Sequence, residues 1–247
     1  MAMTDDAATP ETPTAHVLAD ADAALGAVVD VVRALPDDAV GHASPLPGWT
    51  RGHVLSHLAG VAAALARQAE YAARGETVAP YDGGQAGRAA AIEAGAGRTA
   101  AEHADALVAA RERLAAAWPE PGHPLWDAPI AYRDGVLTDA LLAWWREARI
   151  HAVDATAGLG GLSLGYDTWD PAFCAHLRDF LAVRLPDAWR GGDGGLELVG
   201  DPRDVAAWLA GREPAGEVSA TRDGNPVSLP EMAPWPSSTT PEPTSGA

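Results

Sequence analysis

The stretch WWREARIHAVD, residues 144–154, has helical spacing, yet it carries a carboxylate and an imidazole four residues apart in a largely apolar run. At about 100° per residue, Glu147 and His151 lie roughly 40° apart on a helix surface, close enough to reach one ion. Asp154 falls on the same side, where it can accept a hydrogen bond from a ligating imidazole. Taken alone, the stretch has a plainer reading: Glu-x3-His is common by chance, and Glu147 can simply pair with an arginine. A second stretch shifts the balance. TRGHVLSHLAG, residues 50–60, holds His53 and His57, again four apart. Its helix has an apolar stripe of Val54, Leu58, Val61 and Leu65, with His57 about 70° and His53 about 110° from its centre. His57 is therefore expected to point into a helical bundle, as a ligand or as a core histidine satisfied by hydrogen bonds. His53 is expected at the rim. Two imidazoles and one carboxylate from two helices suit Zn²⁺ with a fourth position open. Fe²⁺ in a facial triad uses the same ligand types.

Working outward, residues 15–35, 51–74, 88–117 and 138–157 read as four long helices, the third weakened by Gly95 and Gly97. Thr50 is placed to cap the second, and loops rich in Pro and Gly join them. Long helices with long joins predict a bundle over residues 15–160. Beyond it the pattern changes. Asp170-Pro171 and Asp201-Pro202 are helix starts, GLELVG alternates like a strand, and RDGN is a hairpin turn. These form a small mixed α/β unit over residues 166–236, so the expected class is α+β. Residues 1–14 and 237–247 read as disordered tails, too polar to bury much surface.

With 47% hydrophobic residues in 247, the chain can build a sizeable core. No apolar run reaches the roughly 20 residues that span a bilayer. The acidic start, MAMTDDAATPETPT, lacks the basic and apolar regions of a signal peptide. A soluble, cytoplasmic protein without a membrane partner is expected. The net charge of −17 argues against a nucleic-acid partner. It leaves open a small anionic substrate, which responds to local charge. All 17 basic residues are arginine, which excludes a Schiff-base lysine and a P-loop. Together with the abundance of Ala and Gly, this points to a GC-rich genome of the actinobacterial kind. The single cysteine, Cys174, excludes an intrachain disulfide and a Cys-rich zinc site. Its setting, PAFCAHLRD, reads as an ordinary helix, so a structural thiol is expected.

LPGWTRGHVLSHLAG, RAAAIEAGAGR, WWREARIHAVD and DVAAWLAGRE followed by LPEMAPW come in an order that resembles the mycothiol-dependent maleylpyruvate isomerase family. That family belongs to the wider DinB-like group of metal-binding four-helix bundles. The likeness runs from about residue 15 to 236. It implies a Zn²⁺, or another divalent ion, held by His57, Glu147 and His151, and mycothiol as thiol cofactor. It also implies an isomerase that adds the thiol to maleylpyruvate, lets the new single bond rotate, and eliminates fumarylpyruvate. The nucleophile would be borrowed, so no protein cysteine is needed. A dicarboxylate needs guanidinium partners. Arg88 matches a family arginine before an Ile-Glu pair and is the first candidate. Arg222, in the C-terminal hairpin that is expected to cover the bundle mouth, is the second, while Arg212 could instead stabilise a helix C-terminus. The chain departs from the family at Val61, often an asparagine, and in HAVDATAG, which lacks a doubled histidine. Two other functions fit the same ligands: a mycothiol S-transferase acting on electrophiles, and a non-catalytic metal-binding bundle.

Overall fold

Apolar residues recurring every three or four positions give this chain helices with one face to bury. In chain order they are α1 (Thr14–Arg33), α2 (Asp37–Val40), α3 (Arg51–Ala72), α4 (Gly84–Ala96), α5 (Ala100–Ala117), α6 (Leu137–Thr156), α7 (Pro171–Leu181) and α8 (Pro202–Leu209). The computed structural model describes residues 14–190 and 195–236. Of the two expected tails, residues 1–13 and 237–247 lie outside the described residues, and Thr14 already begins a helix. α1 and α3 each pack on both α5 and α6, which closes a four-helix ring. Leu25, Leu55, Leu58, Leu107, Leu141 and Trp145 fill its centre, fully buried. Each such side chain stabilises the fold by about 1.5–3 kcal/mol relative to exposure. No helix among the described residues is long and apolar enough to cross a membrane.

The continuous helix expected over 88–117 is two helices. Thr99 accepts from the Glu102 N–H at 3.2 Å, and Glu102 accepts from the Thr99 N–H at 2.8 Å. This reciprocal cap starts a new helix at Ala100 and breaks the run. α5 therefore supplies the bundle, while α4 lies across α3. The approach is close: a Cβ on Gly52 would stand 2.0 Å from the Ala96 carbonyl oxygen. Beside it, buried Arg51 donates from Nε to the Ala155 carbonyl at 2.7 Å and from Nη2 to that of Ala157 at 2.9 Å. Its Nη1 donates to the Ala39 carbonyl. One guanidinium thus satisfies carbonyls at the end of α6 that have no helical partner.

After the bundle, Asp170 caps α7 by accepting from the Phe173 N–H at 2.7 Å, and Asp201 caps α8 by accepting from the Arg203 N–H at 2.9 Å. α7 packs on α8. Strands β1 (Leu196–Val199), β2 (Ser219–Arg222) and β3 (Asn225–Val227) form an antiparallel sheet in the order β1-β2-β3. The β2–β3 turn has φ of 50° at Asp223 and 78° at Gly224, the left-handed pair a two-residue hairpin requires. The fold is thus α+β, a helical bundle with a small sheet at its C-terminal end. Its core is unbroken: Trp145 of α6 meets Phe173 of α7 at 5.2 Å between ring centroids, and Phe173 meets Trp169 at 5.1 Å.

The Gly52 contact has a measurable consequence. Gly52→Ala is expected to destabilise the protein by about 1–3 kcal/mol, because α4 must step back or α3 must bend. The same change at Gly60, whose added Cβ would meet nothing within 4 Å, is expected to stabilise it by about 0.5–1 kcal/mol through helix propensity. Urea midpoints of the two variants decide it. Equal midpoints would show that the close approach carries no strain.

Candidate metal centre

Positions 143, 146, 147, 150 and 151 of α6, spaced three and four apart, face a cavity of about 690 Å³. α3 presents His57, Val61, Ala64 and Leu65 to it, and α4 presents Arg88. His57 Nε2 lies 2.9 Å from Glu147 Oε2, and His151 Nε2 lies 3.1 Å from the same oxygen. The two rings stand nearly perpendicular at 86°, with centroids 4.7 Å apart. One ligand atom from each of the three residues lies within 4.8 Å of the others. Donors around a tetrahedral zinc with bonds of about 2.0 Å are roughly 3.3 Å apart. The donor chemistry and spacing fit a divalent cation with a further position toward the cavity.

The neighbours orient these groups. His151 Nδ1 lies 2.8 Å from Asp154 Oδ2, which turns Nε2 toward Glu147. Asp154 is buried and also receives Arg212, from Nη2 at 2.7 Å and from Nε at 3.1 Å. Arg212 in addition donates to the Ala210 carbonyl at 2.8 Å, so it closes α8 and reaches the centre at once. Arg88 Nη2 donates to His57 Nδ1 at 3.0 Å. That contact places the imidazole proton on Nε2, facing Glu147. If Nε2 gives its lone pair to a cation instead, the ring proton moves to Nδ1. Arg88 can only donate, so it must then find another acceptor.

Electrostatics agree with this arrangement. Burial pushes the Glu147 carboxyl up, but the two imidazoles outweigh it and hold the group well below the usual carboxylate range. Burial lowers His57, and the pull of Glu147 does not offset it. Burial also works against the charged ring of His151, yet hydrogen bonds to Asp154 and Glu147 raise it to about 9. Without a cation, the centre is a carboxylate, a neutral His57 and a protonated His151.

His53 is turned away from the centre. Its Nδ1 accepts from the Thr50 N–H at 3.1 Å, closing the cap of α3, and its ring stacks on Trp49. Arg222 requires a correction. It is exposed at the end of β2, next to the hairpin turn, and does not line the cavity. The sheet ladder ends there, whereas Arg212 and Arg184 enter the cavity wall. Cys174 is buried off the cavity, and burial pushes its thiol up to about 11, so it offers no thiolate. Arg146 escaped the sequence reading. It sits four residues before Ile150, so the same periodicity places it on the cavity wall. Burial lowers its guanidinium to about 10. It donates to His176 Nε2 at 2.9 Å, and His176 is pushed down to about 4 by burial and by Arg146.

Residues 7–156 match the family model described as the mycothiol maleylpyruvate isomerase N-terminal domain. No curated protein matches the chain. Among solved structures, the fold is similar to the crystal structure of the mycothiol-dependent maleylpyruvate isomerase, with a TM-score of 0.73 and 22% identity over 91% of this chain and 98% of that one. A histidine-to-alanine mutant of the mycothiol-dependent maleylpyruvate isomerase matches with a TM-score of 0.72 and 21% identity over the same shares.

The Asp154 contact can be tested without a metal. In Asp154→Asn, His151 loses a charged acceptor while the side chain keeps its size. Its pKa, about 9 in the metal-free protein, is expected to fall by about one unit or more. Histidine ring shifts followed by NMR across pH measure it. An unchanged titration would mean that Glu147 alone holds the proton.

Proposed function

Since the chain belongs to the mycothiol maleylpyruvate isomerase family, we propose that it is a metal- and mycothiol-dependent cis–trans isomerase, acting in the cytoplasm on maleylpyruvate or a related cis-enedioate. The observation that carries this reading is the convergence of His57, Glu147 and His151 on a cavity lined by arginines, in a chain of net charge −17. Zn²⁺ held by these three residues would acidify a bound thiol or polarise a substrate oxygen. Mycothiol would supply the thiol whose reversible addition turns the double bond into one that can rotate. The protein's own residues bind and orient. Arg88, once released from His57, grips a substrate carboxylate in a planar fork. Asp154 and Arg212 hold His151 in position. Val61, Ala64 and Leu65 form an apolar wall on α3, against which a substrate chain packs.

That wall supports a second reading. Val61 replaces the asparagine frequent in the family, and an apolar wall also suits an apolar electrophile. A mycothiol S-transferase would use the same centre, and only the fate of the adduct would differ. Turnover assays with mycothiol, comparing maleylpyruvate with a chloronitrobenzene electrophile, separate the two. Maleylpyruvate is expected to be isomerised without net consumption of thiol. Stoichiometric loss of thiol would favour the transferase.

Metal content tests the centre itself. The purified protein is expected to hold about one divalent ion per chain, zinc foremost. His57→Ala should weaken zinc binding by about tenfold or more, whereas His53→Ala should keep the metal and lose about 1 kcal/mol of stability with its cap. Zinc and a proton compete for His151 Nε2, whose pKa is about 9, so affinity should rise with pH up to that value. Elemental analysis and zinc titration at several pH values measure all three. A protein that is metal-free and also refuses added zinc would sink the site.

Cys174→Ser is expected to leave thiol-dependent turnover nearly intact, since the thiol is buried and off the cavity. Loss of turnover in a folded Cys174→Ser variant would move the nucleophile onto the protein.

A further inference from the structure

We propose that Arg146 forms a second anion subsite, on the α7 side of the cavity, which binds the carboxylate of a dianionic substrate remote from the metal centre. The inference rests on the reading of the substrate as a small cis-enedioate. Such a molecule carries a carboxylate at each end. Arg88, beside His57, can serve only the end near the centre.

Arg146 has the properties of a site waiting for an anion. Only 8% of it is exposed, and it lines the cavity. Its guanidinium lies 3.6 Å from the centroid of the Phe180 ring and donates to the neutral His176 at 2.9 Å, two contacts that hold it in place. No carboxylate among the described residues forms an ion pair with it. Other arginines enclosed in the fold are matched by acceptors. Arg149 pairs with Asp20, Arg212 pairs with Asp154, and Arg51 donates to three backbone carbonyls. Glu147, the next residue, is already shared by both imidazoles. A guanidinium has five N–H donors, and His176 takes one. A buried cation left unmatched is costly, and a carboxylate that accepts two parallel N–H bonds removes the cost.

The surroundings reinforce this. Arg133 also lines the cavity, and its guanidinium lies 5.9 Å from the same Phe180 ring. Two positive charges thus face one aromatic ring, and an anion bound beside Arg146 would also be attracted by Arg133. α7 supplies both His176 and Phe180, so the second unit of the chain builds this subsite on a helix of the bundle. The separation of the two anion sites would then select for molecules with two carboxylates and against monoanionic electrophiles.

Calorimetric titration without mycothiol tests the proposal, with maleate as dianion and monomethyl maleate as monoanion. The protein is used as purified, in the wild-type form and as Arg146→Met and Arg146→Lys. Wild type is expected to prefer maleate by tenfold or more. Arg146→Met keeps the packing on Phe180 but should bring the preference close to one. Arg146→Lys, which keeps the charge, should retain part of it. Circular dichroism checks the fold, and the Lys variant carries the test if the Met variant does not fold. A wild type without preference overturns the subsite, as does an Arg146→Met variant that keeps it, including one whose affinity for both probes falls equally. Turnover separates this result from the isomerase reading. Collapse of the preference in a protein that isomerises no cis-enedioate would keep the subsite and remove the isomerase. An Arg146→Met enzyme with unchanged KM for maleylpyruvate would do the reverse, since a tenfold or larger rise in KM is expected.

Discussion

α6 is enclosed on almost every side, so each polar group it carries must find a partner, and several find it on another element. Arg149 takes Asp20 of α1, which also accepts from Trp145 Nε1 at 2.6 Å. Glu147 takes His57 of α3. Arg146 takes His176 of α7, and Asp154 takes Arg212 beyond α8. The carbonyls at its C-terminus take Arg51. Four segments are thereby keyed to one helix by directional contacts. Apolar packing alone would tolerate sliding or rotation of these segments; the pairings do not. The centre is part of the same scheme, because the Glu147 that needs two imidazoles as partners is also the carboxylate a cation would share.

Charge is organised against the average. A chain of net charge −17 concentrates arginines around one cavity, where Glu147 is the only acidic residue of the wall among the described residues. A small anion feels the enclosed local field more than the screened charges on the outer surface. The choice of arginine matters as well. Its planar fork stays charged when buried and can pack over an aromatic ring, as that of Arg146 does over Phe180. A lysine ammonium would lose more on desolvation and would offer no plane to align two N–H bonds.

Much of the fold was legible because its signals are local. Thr50, Asp170 and Asp201 each cap the helix that follows, and Asp223-Gly224 makes the hairpin turn. The break at residues 97–99 was legible too, through the Thr-x-x-Glu cap at Thr99 and Glu102, but a propensity reading passed over it. At the centre, the helical wheel separated His57 from His53 because an angle on a helix depends only on residue spacing. Arg146 carried a weaker signal. It lay on the right helix and near the right face, but an arginine beside a glutamate reads as a surface pair until the depth of the face is known.

Helix spans, caps, the hairpin and the grouping of Glu147, His151 and Asp154 on one side of a helix follow from the sequence by itself, since each depends on residues within about one or two turns of one another. Which faces meet was decided only in the tertiary structure. Arg212 reaches Asp154 across 58 positions of the chain, and Arg222, ten residues further on, points into solvent. Both are arginines after a helix or within a hairpin, and nothing in their local spacing distinguishes them. The difference arises from how α7 and α8 pack against the bundle, a sum of many small apolar contacts that no single motif encodes. The same packing buries Arg146 with no carboxylate ion-paired to it among the described residues, and so turns an ordinary residue of α6 into a cation facing the cavity.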